Sequence, residues 1–87
     1  MYYVYMLSCG DGSLYTGIAA DVPRRLRQHQ SGKGAKYTRS HLPVTLVYQE
    51  CLSDKGAALR REYAIKQLPR QEKLKLIEQA AKNLPTA

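Results

Sequence analysis

The sequence predicts an α+β domain, a small antiparallel sheet covered by helices in the order ββαβαα. Three observations carry this expectation. Residues 1–18 hold two short runs rich in aromatic and β-branched side chains around a Gly-Asp-Gly turn, the pattern of a hairpin. Further on, apolar residues recur at helical spacing behind Asp and Pro residues that suit helix starts. The chain has 87 residues, 44% hydrophobic and 24% charged, which suits one ordinary globular domain with a thin core. A single domain over residues 1–83 with a short tail at 84–87 is expected.

Residues 2–8 read as the first strand, being short and rich in Tyr and Val. Cys9-Gly10-Asp11-Gly12-Ser13 supplies the turn, since Gly and Asp tolerate left-handed backbone angles. Residues 14–18 return as the second strand, with Tyr5 and Tyr15 roughly opposite one another. Asp21 is a good helix cap and Pro23 fits a first turn, so a helix should run over 22–30 and stop at Ser31-Gly32-Lys33-Gly34. A loop then reaches Pro43, and residues 44–51 form the third strand. Ser53 or Asp54 caps a second helix reaching about residue 67. Pro69 breaks it, and a third helix follows over 70–82 with an apolar stripe of Leu74, Ile77, Ala81 and Leu84.

Several classes are excluded by what is missing. No apolar run approaches the roughly 20 residues that span a bilayer, and no basic region precedes an apolar stretch at the N-terminus. Cys9 and Cys51 stand apart, in no C-x-x-C pair and with no His at ligand spacing, so a zinc site is not indicated. Reduced thiols, buried or half-buried, in a cytoplasmic protein are the expectation. The chain has neither G-x-x-x-x-G-K-[ST] nor G-x-G-x-x-G, and no Ser/His/Asp arrangement.

The net charge of +7 is uneven. Residues 1–20 carry −1, while residues 21–41 carry +5 from Arg24, Arg25, Arg27, Lys33, Lys36 and Arg39 against Asp21. Such a cluster attracts polyanions, of which nucleic acid is the commonest in a cell, unless it serves only as a solvated basic surface.

Polar residues on apolar faces are more informative. Val22, Arg25, Leu26 and His29 form one helical stripe, whereas Arg24 and Arg27 lie off it. Arg25 at the edge of a core face could present its donors to a phosphate, or simply reach out to solvent; His29 could equally be an exposed helix-end residue. On the second helix Glu62 shares a stripe with Ala58, Leu59 and Ile65. A carboxylate there must be paired, with Arg61 or Lys66 on its own helix, or protonated, or bound to a cation such as Mg²⁺. The seven tyrosines are the only aromatic rings besides the two histidines, and Gly17 beside them suggests a close approach to the strand backbone.

Together these residues resemble the GIY-YIG nuclease domain, specifically its short, stand-alone bacterial branch (YhbQ/YazA-like). Tyr3-Val4-Tyr5 stands for the first motif and Tyr15-Thr16-Gly17 for the second, with Arg25 and His29 on the following helix and Glu62 on a later one. The likeness extends through Gly32-Lys33-Gly34-Ala35-Lys36 to Ala64-Ile65-Lys66-Gln67-Leu68. Two departures are visible. Tyr3 stands where the first motif has glycine, and the Asn that many members carry after the Glu is not evident, Asn83 being the only Asn.

The resemblance implies a three-stranded antiparallel sheet flanked by helices and metal-dependent hydrolysis of DNA phosphodiesters. Selection of substrate by structure rather than sequence, in DNA repair or processing, is expected. It implies Tyr5, Tyr15, Arg25, His29 and Glu62 as the catalytic set, with Glu62 holding one Mg²⁺ or Mn²⁺. Arg25 would neutralise nonbridging oxygens, and Tyr5 or Tyr15 would take the water's proton. A phenol ordinarily titrates near 10, so that role needs a lowered pKa, favoured by the surrounding positive charge, or a relay through a neighbour; His29 could assist as a relay or as a phosphate contact. Gly17, Arg24, Lys33, Lys36, Tyr37, Arg39 and Lys66 are expected to contact nucleic acid, DNA or RNA, with Tyr37 stacking a base. Tyr2, Tyr3, Tyr48 and Tyr63 are expected to pack. No small-molecule cofactor is expected, and a monomer is favoured. The alternatives are a non-catalytic nucleic-acid-binding module of the same fold and a domain that docks on an acidic protein.

Overall fold

The structure, a computed structural model, describes residues 1–82. Its elements run β1 (Tyr2–Ser8), β2 (Leu14–Ala19), α1 (Val22–Gln30), α2 (Lys36–Arg39), β3 (Thr45–Leu52), α3 (Lys55–Lys66) and α4 (Arg70–Lys82). The expected tail at 84–87, which includes Leu84, and Asn83 at the expected end of the domain lie outside the described residues. The expected loop up to Pro43 is corrected: it contains the short helix α2, whose N-cap Ala35 offers no side-chain acceptor and so leaves no capping signal to read.

The three strands form one antiparallel sheet in the order β2-β1-β3. The central strand is buried on both faces, because Val4, Tyr5, Met6 and Leu7 are consecutive and all inaccessible. Tyr5 and Leu7 join Ala19, Val22 and Val44 beneath α1, with Tyr15 and Leu26 packed at the margin. Val4 and Met6 face the other way, onto Ala58 and Ile65 of α3 and onto Leu76 and Ile77 of α4. The fold therefore has three layers, α1 on one side of the sheet and α3 with α4 on the other. A register shift between β1 and β3, with Met6 opposite Tyr48 but Leu7 opposite Leu46, leaves Val47 as the extra residue and sends Val47 and Tyr48 toward α4 together.

Local chemistry explains the helix starts. Asp21 accepts from the Arg24 amide (3.1 Å) with Pro23 in the first turn of α1, and Asp54, rather than Ser53, accepts from the Ala57 amide (2.8 Å) to begin α3. The α4 stripe is rotated from expectation by about one residue. Lys73, Leu76, Ile77 and Ala80 are half-buried, while Leu74 and Ala81 are exposed. The reason is that α4 lies against β3 at the sheet margin, so a seam narrower than a full apolar face suffices. Leu59 and Tyr63 on α3 are also exposed, Tyr63 at 69%, which corrects its expected packing role. Cys9 is buried as expected, but Cys51 is exposed.

Candidate active site

The hairpin register places Tyr5 opposite Gly17, and Leu7 opposite Tyr15. Tyr5 and Tyr15 are thus diagonal neighbours, not the direct pair expected, with ring centroids 6.4 Å apart. The close approach at Gly17 is made by the protein itself. A Cβ there would stand 2.7 Å from Tyr5 Oη and 2.9 Å from its Cζ, so glycine is needed for the phenol to lie across β2. Gly17 is accordingly buried, and its role is to seat Tyr5.

His29, at the C-terminal end of α1, is 1% exposed; the reading of it as a solvent-facing residue is overturned. Its Nε2 lies 2.8 Å from Tyr5 Oη, and its Nδ1 lies 2.7 Å from Thr38 Oγ1. Tyr15 meets the imidazole edge-on at 5.3 Å. The loop after α1 passes directly over the ring, since a Cβ on Gly34 would collide with His29 Nδ1. Burial, assisted by the Arg25 charge, holds His29 below the ordinary histidine range, so it is neutral at physiological pH.

Burial is also the main influence on Tyr5, raising its phenol well above the ordinary tyrosine range, and Tyr15 and Glu62 add to it. Arg25 lowers it, but not enough to compensate. The expected phenolate is therefore not a resting state, and of the two routes considered for tyrosine as a base, relay is the one this arrangement suits.

Arg25 and Glu62 act on the cluster through their charges. Arg25 is exposed and bears electrostatically on both Tyr5 and His29. Glu62 on α3 has a side chain only 19% exposed and pairs with Lys66 at 3.3 Å. The other candidate partner, Arg61, turns instead to Glu50 (2.9 Å), which also accepts from the Tyr48 hydroxyl at 2.7 Å. Among the described residues no group of three or more His, Cys, Asp or Glu could cage a metal. A lone hard-oxygen donor such as Glu62 still suits Mg²⁺ or Mn²⁺, which commonly take one or two carboxylates and complete their shell with water and substrate phosphate.

Around this centre lie two open surfaces. A groove of about 490 Å³ is lined by Tyr2, Ile18, Arg24, Arg25, Gln28 and Lys55. A cleft of about 310 Å³ is lined by Tyr15, Thr16, Tyr37, Lys66 and Lys73, among others. Tyr37 stacks on Tyr15 (6.2 Å) and on His41 (4.1 Å) and donates to Ser13 Oγ (2.6 Å). Lys33, Lys36 and Arg39 are exposed on the segment around α2. Among the described residues none of the six cations in residues 21–41 has an ion-pair partner, and Asp21 is occupied as a cap. Sequence reasoning missed Thr38, Gly34, Lys55 and Lys73. Only the Gly-Lys-Gly run hinted at Gly34, and nothing local distinguishes the others.

Residues 1–75 match the family model of the GIY-YIG catalytic domain. The chain belongs to the GIY-YIG family. Family membership supports a nuclease-type function and a nucleic-acid substrate. This GIY-YIG chain is similar to a UPF0213 protein of Staphylococcus haemolyticus, 55% identical over 78 residues that cover 90% of this chain and 95% of that one. It is likewise similar to a UPF0213 protein of Streptococcus sanguinis, 56% identical over 81 residues, 93% of each chain. Among solved structures, the solution structure of a UPF0213 protein from Bacillus halodurans is 49% identical, with a TM-score of 0.58 over 90% of this chain and 84% of that one. A protein from E. faecalis is 35% identical, with a TM-score of 0.63 over 99% and 92%. Among the described residues no helix of this GIY-YIG domain is long and apolar enough to cross a membrane.

Proposed function

We propose that this protein is a metal-dependent endonuclease that hydrolyses DNA phosphodiesters, selecting its substrate by structure rather than by sequence, in DNA repair or processing. The observation that carries this reading is the convergence of Tyr15, His29, Arg25 and Glu62, from three different elements, on the buried phenol of Tyr5. Binding alone has no need of a half-buried carboxylate in that company.

In this reading Tyr5 Oη accepts a proton from the attacking water while its own phenolic proton passes to His29 Nε2. The hydroxide so formed attacks phosphorus, the bond from phosphorus to the leaving oxygen breaks, and that oxygen departs as an alcohol after taking a proton from solvent. Arg25 neutralises charge on the nonbridging oxygens. Glu62 would hold one Mg²⁺ or Mn²⁺, which supplies Lewis-acid stabilisation of the phosphate charge when bound. With the ion held there, Lys66, now paired to Glu62, would be free to meet the backbone from the cleft it shares with Tyr37 and Lys73. The unpaired cations along residues 21–41 hold the rest of the backbone, a grip that carries no sequence information.

The test is a cleavage panel on duplex, branched and single-stranded DNA, with and without Mg²⁺. Metal-dependent cutting is expected, abolished in Glu62→Ala with DNA binding mostly retained. Wild-type cutting by Glu62→Ala would sink the metal assignment. Binding without cutting by the unsubstituted protein would make the chain a non-catalytic nucleic-acid-binding module.

A further inference from the structure

Thr38 has no place in the chemistry described so far, yet it is a polar side chain with 0% exposure in direct contact with the imidazole. Its hydroxyl has one proton to give. That proton goes to the carbonyl of Ala35 at 2.9 Å, a group that can only accept. Ala35 is the N-cap residue of α2, and the same carbonyl accepts the helical bond from the Arg39 amide at 3.1 Å, so its position is set by the helix itself. Thr38 Oγ1 therefore turns a lone pair toward His29, and Nδ1 must be the protonated nitrogen of the neutral ring. The other nitrogen, Nε2, is left as an acceptor aimed at Tyr5 Oη.

We infer that Thr38 is a positioning residue: its hydroxyl fixes His29 in the Nδ1–H tautomer, so that Nε2 can receive the phenolic proton of Tyr5. The inference rests on the Tyr5–His29 relay proposed above, but the proton arrangement it asserts exists in the free protein and is read there. It also gives a chemical purpose to two features that look incidental. Gly34 has no Cβ because the chain must pass over Nδ1 to bring Thr38 there. The four-residue helix α2 exists to hold the Ala35 carbonyl and the Thr38 hydroxyl in one turn.

Removing the hydroxyl reverses the relay. In Thr38→Val a methyl group replaces the acceptor, and a buried Nδ1–H would have no partner. The ring then carries its proton on Nε2, which donates to Tyr5 Oη and can no longer take the phenolic proton. Thr38→Ser keeps the hydroxyl and should keep the tautomer.

The experiment is ¹⁵N NMR of the histidine rings at about pH 8, above the ordinary histidine range, on the unsubstituted protein, Thr38→Val and Thr38→Ser. It is paired with single-turnover cleavage and DNA-binding measurements on the same samples. The expected result is Nδ1–H for His29 in the unsubstituted protein and in Thr38→Ser, and Nε2–H in Thr38→Val. Cleavage should fall about 100-fold in Thr38→Val, the lower end of what a general base contributes, return in Thr38→Ser, and leave binding unchanged. Nε2–H in the unsubstituted protein overturns the inference, as does Nδ1–H with full cleavage in Thr38→Val. If Thr38→Val does not fold, the tautomer of the unsubstituted protein decides alone. If no sample cuts DNA, the nuclease reading fails while the tautomer comparison still tests Thr38.

Discussion

The phenol of Tyr5 is the residue on which most of the site depends, and its neighbours show how little freedom it has. Gly17→Ala places a Cβ 2.7 Å from Tyr5 Oη, so the ring must leave its seat across β2. Overpacking of this kind costs about 1–3 kcal/mol, and a fall in the urea midpoint together with loss of cleavage is the expected outcome. Unchanged stability would mean that Tyr5 does not lie across β2. His29 makes a pH-dependent contribution whose sign follows from burial. Its folded pKa is lowered, so the unfolded chain takes up a proton as pH drops below about 6.5 while the folded chain does not. The stability it contributes is present in full above that value and is lost as pH falls through the lowered folded pKa. Urea unfolding at a series of pH values should show this slope, and His29→Gln should flatten it.

At the scale of the element, the helices owe their starts to two aspartates and their positions to the sheet. Asp54→Ala removes the side-chain acceptor for the Ala57 amide and should cost about 0.5–2 kcal/mol by urea denaturation, as N-caps do. The NMR signals of His29 should not move, because Asp54 lies at the start of α3, about two turns from Glu62, the α3 residue that bears on Tyr5. Movement of those signals would show that the two layers are coupled through β1. A larger loss is expected for Met6→Ala, whose side chain is wholly buried beneath α3 and α4, at about 2–5 kcal/mol. These elements were largely legible because caps and periodicity are local: Asp21, Pro23 and the stripe of α1 lie within nine residues. The short α2 was not legible, since Ala35 caps with its backbone alone and Thr38 looks like any loop threonine until the fold closes over it.

At the scale of the whole molecule, the proposed function gives the basic residues the part of a binding surface. The six cations of residues 21–41 have no ion-pair partners among the described residues, and Lys55 extends the same groove from the start of α3. Replacing Lys33 and Lys36 together with Ala should weaken DNA binding. The slope of log affinity against log salt should also become shallower, by about 0.7–0.9 for each phosphate that the variant no longer neutralises. An unchanged slope would remove this segment from the interface. The three-layer arrangement makes such a surface possible in so small a chain, because the sheet serves two thin cores and the β2 margin between them carries Tyr15 and Gly17.

Residue types and local order were enough to settle the order of the three strands and the three longer helices, the α+β class and which side chains were candidates for chemistry. Each of these rests on spacing within one turn or one strand, where physical chemistry acts between near neighbours. The tertiary structure alone decided that Tyr5 meets His29, that Lys66 rather than Arg61 holds Glu62, and that Thr38 faces Nδ1. Tyr5 and His29 are 24 residues apart in the chain, so their contact depends on a strand register and a helix docking. A shift of a single residue in that register would have turned the phenol to the other face of the sheet.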